Sequence, residues 1–259
     1  MPEQEFPEKH WDEMREWMTS GGPDAVIAFI QGFSDPLERR QLYGLAHQGF
    51  SYRDWEGKNF DHLVTVVEAG MAEGVKQAKS AEDAETRAKL LDFANVLSYN
   101  LSADLAACWP GDEAPREIRH FEKGLELAER CIAWREELKK GPGPFSMAYW
   151  ARGMHKLSLG RPEEAETDFA TSLQQAVSAA REQGKRETCE AGGEFSVILG
   201  TGYLGLARWV QGSDSGRQKY QQAVDAFTAT AASFPDQKED AQFGLDQLRT
   251  VAKKMRAEG

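Results

Sequence analysis

Apolar residues along this chain return at intervals of three and four, the period of one face of a helix. Phe60, Leu63, Val64, Val67, Met71, Val75 and Ala78 form one such stripe, and Ile118, Phe121, Leu125, Ala128 and Ile132 a second. A third runs through Ala165, Phe169, Leu173, Ala176, Val177 and Ala180. Between the first two, Leu90, Leu91, Phe93, Val96, Leu97, Tyr99 and Leu101 spread over more than one side, as expected of a helix covered by several neighbours. Helix breakers separate the stripes at Gly21-Gly22-Pro23, Asp35-Pro36, Ser80 with Asp83, Pro110 to Pro115, and Gly141 to Pro144. The pattern predicts an all-α chain of about eleven helices, or roughly five antiparallel hairpins and a closing helix. That last helix covers residues 236–257, with Asp236 and Glu239 spaced as a capping box.

Residues 147–177 spell a hairpin most fully. Gly160 can take the left-handed conformation that ends a helix, and Pro162 suits a first helical position because its missing amide would have no partner there. Glu163 and Glu164 follow in the first turn, at the positive end of the helix dipole. Tyr149, Gly153, Gly160, Ala165 and Phe169 fall at the spacing of the tetratricopeptide repeat, with Leu159 before the turn and Leu173 closing the second helix, so the segment resembles one unit of that family. It diverges at Arg152 and Lys156, where the family prefers a leucine and an aromatic, and no proline closes the unit after Val177. A weaker copy over 199–235 keeps Gly205, Gly212, Ala223, Phe227 and Pro235 in order, with about six extra residues between Gly212 and Tyr220 that are expected to lengthen the turn.

The resemblance implies a right-handed superhelix of stacked hairpins forming one domain over 1–259: acidic, divergent hairpins over 1–140, repeat-like ones over 145–235, then the closing helix. It also implies a non-catalytic scaffold, because the first helices of such a solenoid line a concave groove that holds a peptide or protein. Carried over position by position, that groove is lined by Met147, Trp150, Met154, Leu157 and Ser158, and in the weaker copy by Leu199, Gly202, Leu206, Trp209 and Val210. Such a lining suits an amphipathic helix or an apolar peptide, and a second copy of the chain is another way to cover it.

Charge narrows the partners. Residues 1–140 carry 17 basic and 27 acidic side chains, whereas 141–259 carry 14 and 15. Nucleic acid is a poor partner for such a surface, and a basic partner is steered toward the first part. The apolar runs are too short to cross a membrane. The N-terminal MPEQEFPEKHW has no apolar core of a secretory leader, and Cys108, Cys131 and Cys189 are odd in number and widely spaced. A cytoplasmic protein is expected, with no cofactor and no metal.

Two motifs invite chemistry. Gly200-Thr-Gly-Tyr-Leu-Gly205 has the dinucleotide spacing, but the helical patterns around it offer no parallel sheet, and its glycines are explained by close helix packing. Glu117-x-x-His120 has the spacing of a di-iron ligand pair, yet it stands alone and is expected to be a helix cap or ion pair. From a different class, an all-α enzyme or small-ligand sensor would enclose a pocket near Trp150, Tyr203 and Trp209.

Overall fold

A computed structural model of the protein describes residues 7–52 and 55–257. Residues 1–6 of the N-terminal stretch considered above therefore lie outside the described residues. The chain is 80% helical, and among the described residues it has no strand. It divides into two compact units, residues 1–105 and 106–259. The division falls at the end of a helix and not at the change in charge density near residue 140.

The first unit contains α1 (Trp11–Gln31), α2 (Pro36–Tyr52), α3 (Phe60–Ser80) and α4 (Ala84–Leu105). Within α1, Gly22 leaves helical geometry at φ 70° and ψ −164°, and Pro23 begins the next segment. The expected break is therefore present as a kink, and α1 is two rods. Asn59 caps α3 by accepting the His62 amide at 3.1 Å, and Asp83 accepts that of Thr86 at the start of α4. Met14, Ile30, Leu42, Tyr43, Leu63, Met71 and Leu101 fill the core. Across it runs a polar clamp: Arg39 Nε and Gln77 Nε2 each donate to Glu73 Oε1 at 2.7 Å, and Arg39 Nη1 also donates to the Phe33 carbonyl. These bonds tie the α1–α2 turn to α3. Burial alone would raise the Glu73 pKa, but the bonds from Gln77 and Arg39 and the Arg39 charge hold it below the ordinary value.

The second unit contains α5 (Ile118–Glu137), α6 (Pro142–Ser158), α7 (Pro162–Glu182), α8 (Phe195–Val210), α9 (Asp214–Ser233) and α10 (Lys238–Ala257). Its helices pack in adjacent pairs, α6 with α7 and α8 with α9, while α10 lies against α8 and α9. Gly160 makes the α6–α7 turn at φ 70°, as expected. Gly153 is the notch of that hairpin: a Cβ there would stand 2.8 Å from the Phe169 ring, which is fully buried beside Ala165. In the second hairpin, a Cβ on Gly205 would stand 2.3 Å from the Tyr220 backbone nitrogen, so the two main chains almost touch. Ala223 and Phe227 are buried behind this contact.

Three expectations shift. The extra residues after Gly212 do not lengthen the turn: Ser213 caps α9 by accepting the Gly216 amide at 3.2 Å, so they become helix. Pro235 opens a 3₁₀ turn over Pro235–Gln237, so α10 begins at Lys238 and not at 236. The buried face of α5 is rotated from the predicted stripe and runs through His120, Gly124, Leu127, Ala128, Cys131 and Ile132, leaving Ile118 68% exposed. Gly124 explains the rotation, because the His155 ring sits where a Cβ would be.

Two measurements follow. Gly205→Ala places a methyl against backbone that cannot move aside, and should cost about 1–3 kcal/mol in urea unfolding. Folding depresses the Glu73 pKa, so its contribution is present above the unfolded carboxylate range and is lost as pH falls through the folded value. Glu73→Gln should therefore lower stability at pH 7 and flatten the loss seen on acidification, read from urea midpoints across that range.

Candidate functional site

The predicted groove lies in the second unit, and half of its ten positions, Gly202 among them, are core. Trp150, Met154, Leu157 and Leu206 are only 7, 0, 3 and 0% exposed. The chain fills this face itself. Trp109, from the segment joining α4 to α5, meets Trp150 edge-on with ring centroids 5.9 Å apart, and α10 places Leu248 against Gly202. Those four positions are therefore not open to a partner, which corrects the sequence reading. Ser158, Leu199 and Trp209 are half-buried, while Met147 and Val210 are exposed. Met147 lies one turn before Trp150 on α6, and Phe243 of α10 stacks on Trp109 at 6.1 Å while remaining 44% exposed. An aromatic chain thus runs from the interior at Tyr203 through Trp150 and Trp109 to the surface at Phe243.

The inner end of that chain is polar as well as aromatic. Tyr203 stacks on Phe169 at 5.3 Å and is fully buried, with Cys108 and Gln247 beside it. Gln247 Nε2 donates to Cys108 Sγ at 3.5 Å. The Tyr203 hydroxyl and Trp150 Nε1 lie near these groups, but neither makes a bond of good hydrogen-bond geometry. Burial pushes the Cys108 thiol up to about 12, so it stays protonated and unreactive, and it pushes the Tyr203 phenol well above its usual value. Trp150 and Tyr203 thus meet as expected, with centroids 6.0 Å apart. Trp209 does not join them: six residues beyond Tyr203 it is about 240° round α8, and it packs on Tyr220 instead.

Arg152 and Lys156, the two departures from the repeat pattern, have a common cause. Asp168 on α7 is buried, and Arg152 Nη2 and Lys156 Nζ reach its two oxygens at 2.6 and 3.0 Å. Arg152 also lies 4.9 Å over the Tyr149 ring. Burial would lower the Arg152 pKa, but the Asp168 bonds and charge hold it above its usual value. Where the repeat pattern prefers apolar side chains, this hairpin carries an ion cluster of Arg152, Lys156, Asp168 and Glu164.

The remaining motifs resolve simply. Gly200 to Gly205 lies wholly inside α8, where the backbone amides are spent on helix bonds and no helix N-terminus is offered to a phosphate. Glu117 and His120 form a cap: the Glu117 amide donates to His120 Nδ1 at 3.0 Å, and Arg119 pairs with the Glu117 carboxylate at 2.7 Å. Among the described residues no group of three or more His, Cys, Asp or Glu side chains is arranged to hold a metal, and no helix is long and apolar enough to cross a membrane. No protein-family model, curated protein or solved structure matches the chain.

Sequence reasoning missed Trp109, Gln247 and Phe243. Trp109 sits beside Pro110 and Gly111, where no helical period points to its neighbours. Asp168 did leave a signal, a carboxylate directly before the core residue Phe169, with two cations displacing the expected apolar side chains on the facing helix. Asp168→Ala should cost about 2–3 kcal/mol in urea unfolding, less than the roughly 3–5 of a fully buried pair because Arg152 and Lys156 can rehydrate.

Proposed function

We propose that the protein is a non-catalytic, cytoplasmic interaction module of tetratricopeptide-like hairpins, stacked as a right-handed superhelix, that holds a protein or peptide partner. Support for the repeat comes from the α6–α7 hairpin, where Gly153, Gly160, Ala165 and Phe169 all occupy the packing roles the family gives them. The observation that carries the binding role is the exposed end of the aromatic chain. Phe243, at the end of that chain, is 44% exposed, and Met147, one turn before Trp150, is 45% exposed. Surfaces of this kind anchor amphipathic or apolar partner segments, because aromatic and thioether side chains give large, adaptable contacts. In this reading the occupant docks on the rim of the filled groove and not within it. The small-ligand reading draws on the poorly bonded Tyr203 hydroxyl and Trp150 indole, but Trp209, one of its three walls, lies elsewhere.

A photo-crosslinking residue placed at Met147 or at Phe243 tests the proposal in extract from the native cell. Both positions should capture the same partner band, and the same residue at Glu163, exposed on α7, should capture none. Equal capture from all three positions, or none from 147 and 243, would overturn the assignment of this rim.

A further inference from the structure

The first unit holds a second surface that the hairpin reading does not use. A cleft of about 940 Å³ is lined by Arg15, Glu16, Trp17, Thr19, Ser20, Trp55, Glu56 and Gly57, between the first rod of α1 and the segment before α3. The volume lies in the range of ligand pockets. Trp17 is 44% exposed, whereas its helix neighbours Met14 and Met18 are buried. Trp55 is held rigidly. Its ring packs at 5.4 Å on Phe50 and edge-on at 6.5 Å to Trp11, and Gly57 passes so close that a Cβ there would lie 2.0 Å from the indole. Two indoles therefore line one cleft, one of them preorganised.

The charged groups around them, one cation and two carboxylates, leave a net negative charge. Thr19 and Ser20 donate their hydroxyls to the Arg15 and Glu16 carbonyls at 2.8 Å, so those donors are already spent. The Arg15 guanidinium is held by Asp12 at 2.9 Å. Glu16 and Glu56 have no ion-pair partner among the described residues, and no other cation lines the cleft. Residues 1–105 carry ten basic and nineteen acidic side chains, which accounts for most of the net charge of −11. A cation is attracted to the face of an indole, most strongly where water is partly excluded, and a surplus of carboxylates raises its local concentration. An anion would meet the Glu16 and Glu56 carboxylates here, and a neutral apolar group would leave them idle.

We propose that this cleft binds the cationic side chains of a basic peptide, with Trp17 and Trp55 facing the charged group and Glu16 and Glu56 neutralising it. The site shares no residue with the rim at Met147 and Phe243, so either assignment can fail without the other. Fluorescence anisotropy of a short labelled Lys-Gly peptide, titrated with the full chain at low and at physiological salt, supplies the test. The wild type should bind saturably. Trp17→Ala keeps every charge and should weaken binding about tenfold, and the pair Glu16→Gln with Glu56→Gln should weaken it at least as much. Acetylating the peptide lysines should abolish binding. Trp17 is exposed, so its removal should leave the melting temperature unchanged, and that measurement separates a lost contact from a lost fold. Absence of binding by the wild type, undiminished binding by Trp17→Ala, or equal binding of the acetylated peptide would each overturn the proposal. Undiminished binding by Trp17→Ala would mark the attraction as diffuse charge alone.

Discussion

At Gly205 the main chain of α8 approaches that of α9 so closely that a single methyl group would stand 2.3 Å from a backbone nitrogen. Much of the second unit follows from that approach and from the looser one at Gly153, where the Phe169 ring fills the place of the missing side chain. Two helices pressed together at a notch bury more apolar area per residue, and they also fix their rotation about each other. That rotation sends Tyr203 and Trp150 inward and leaves Trp209 on another face against Tyr220. Helix positions that could have lined an open groove become interior, because the chain has its own Trp109 and α10 to place there.

The filled groove changes what the fold offers. An array of hairpins with an empty concave face waits for a partner along its length, whereas here half of that face is interior and its exposed apolar groups include Met147, Val210 and the adjoining Phe243. The first unit differs in kind. Its polar clamp at Glu73 and its cluster of His47, Ser51 and Asp104, in which the buried carboxylate accepts from His47 Nε2 at 2.9 Å, are stitched by hydrogen bonds within the helix stack. Most of its other described carboxylates are exposed. The two units thus present surfaces of different chemistry, one aromatic and apolar, the other acidic and lined with indoles.

Much of this was legible in the sequence where periodicity or turn chemistry speaks directly. The breaks at Gly22, Pro36, Pro142 and Gly160 are where glycine and proline placed them, and the stripe through Ala165 and Phe169 is the buried face of α7. Two kinds of information were hidden. The rotation of α5 depends on Gly124 accepting the His155 ring, a contact between helices that no single stripe encodes. The filling of the groove depends on Trp109 in an irregular segment and on the far end of the chain, so half of the positions assigned to the partner from the repeat pattern are interior. The pattern of a repeat fixes which face a residue takes, and only the remaining chain decides whether that face stays open.

The interlocking of helices at their glycine notches is the claim on which the rest stands, and a double-mutant cycle at Gly153 and Phe169 tests it most directly. Gly153→Ala alone should destabilise by overpacking and Phe169→Leu alone by under-filling, while the combination should recover about 1 kcal/mol or more of coupling, since the smaller side chain makes room for the methyl. Strictly additive losses would mean that the two positions do not meet, and would contradict the packing described for this hairpin.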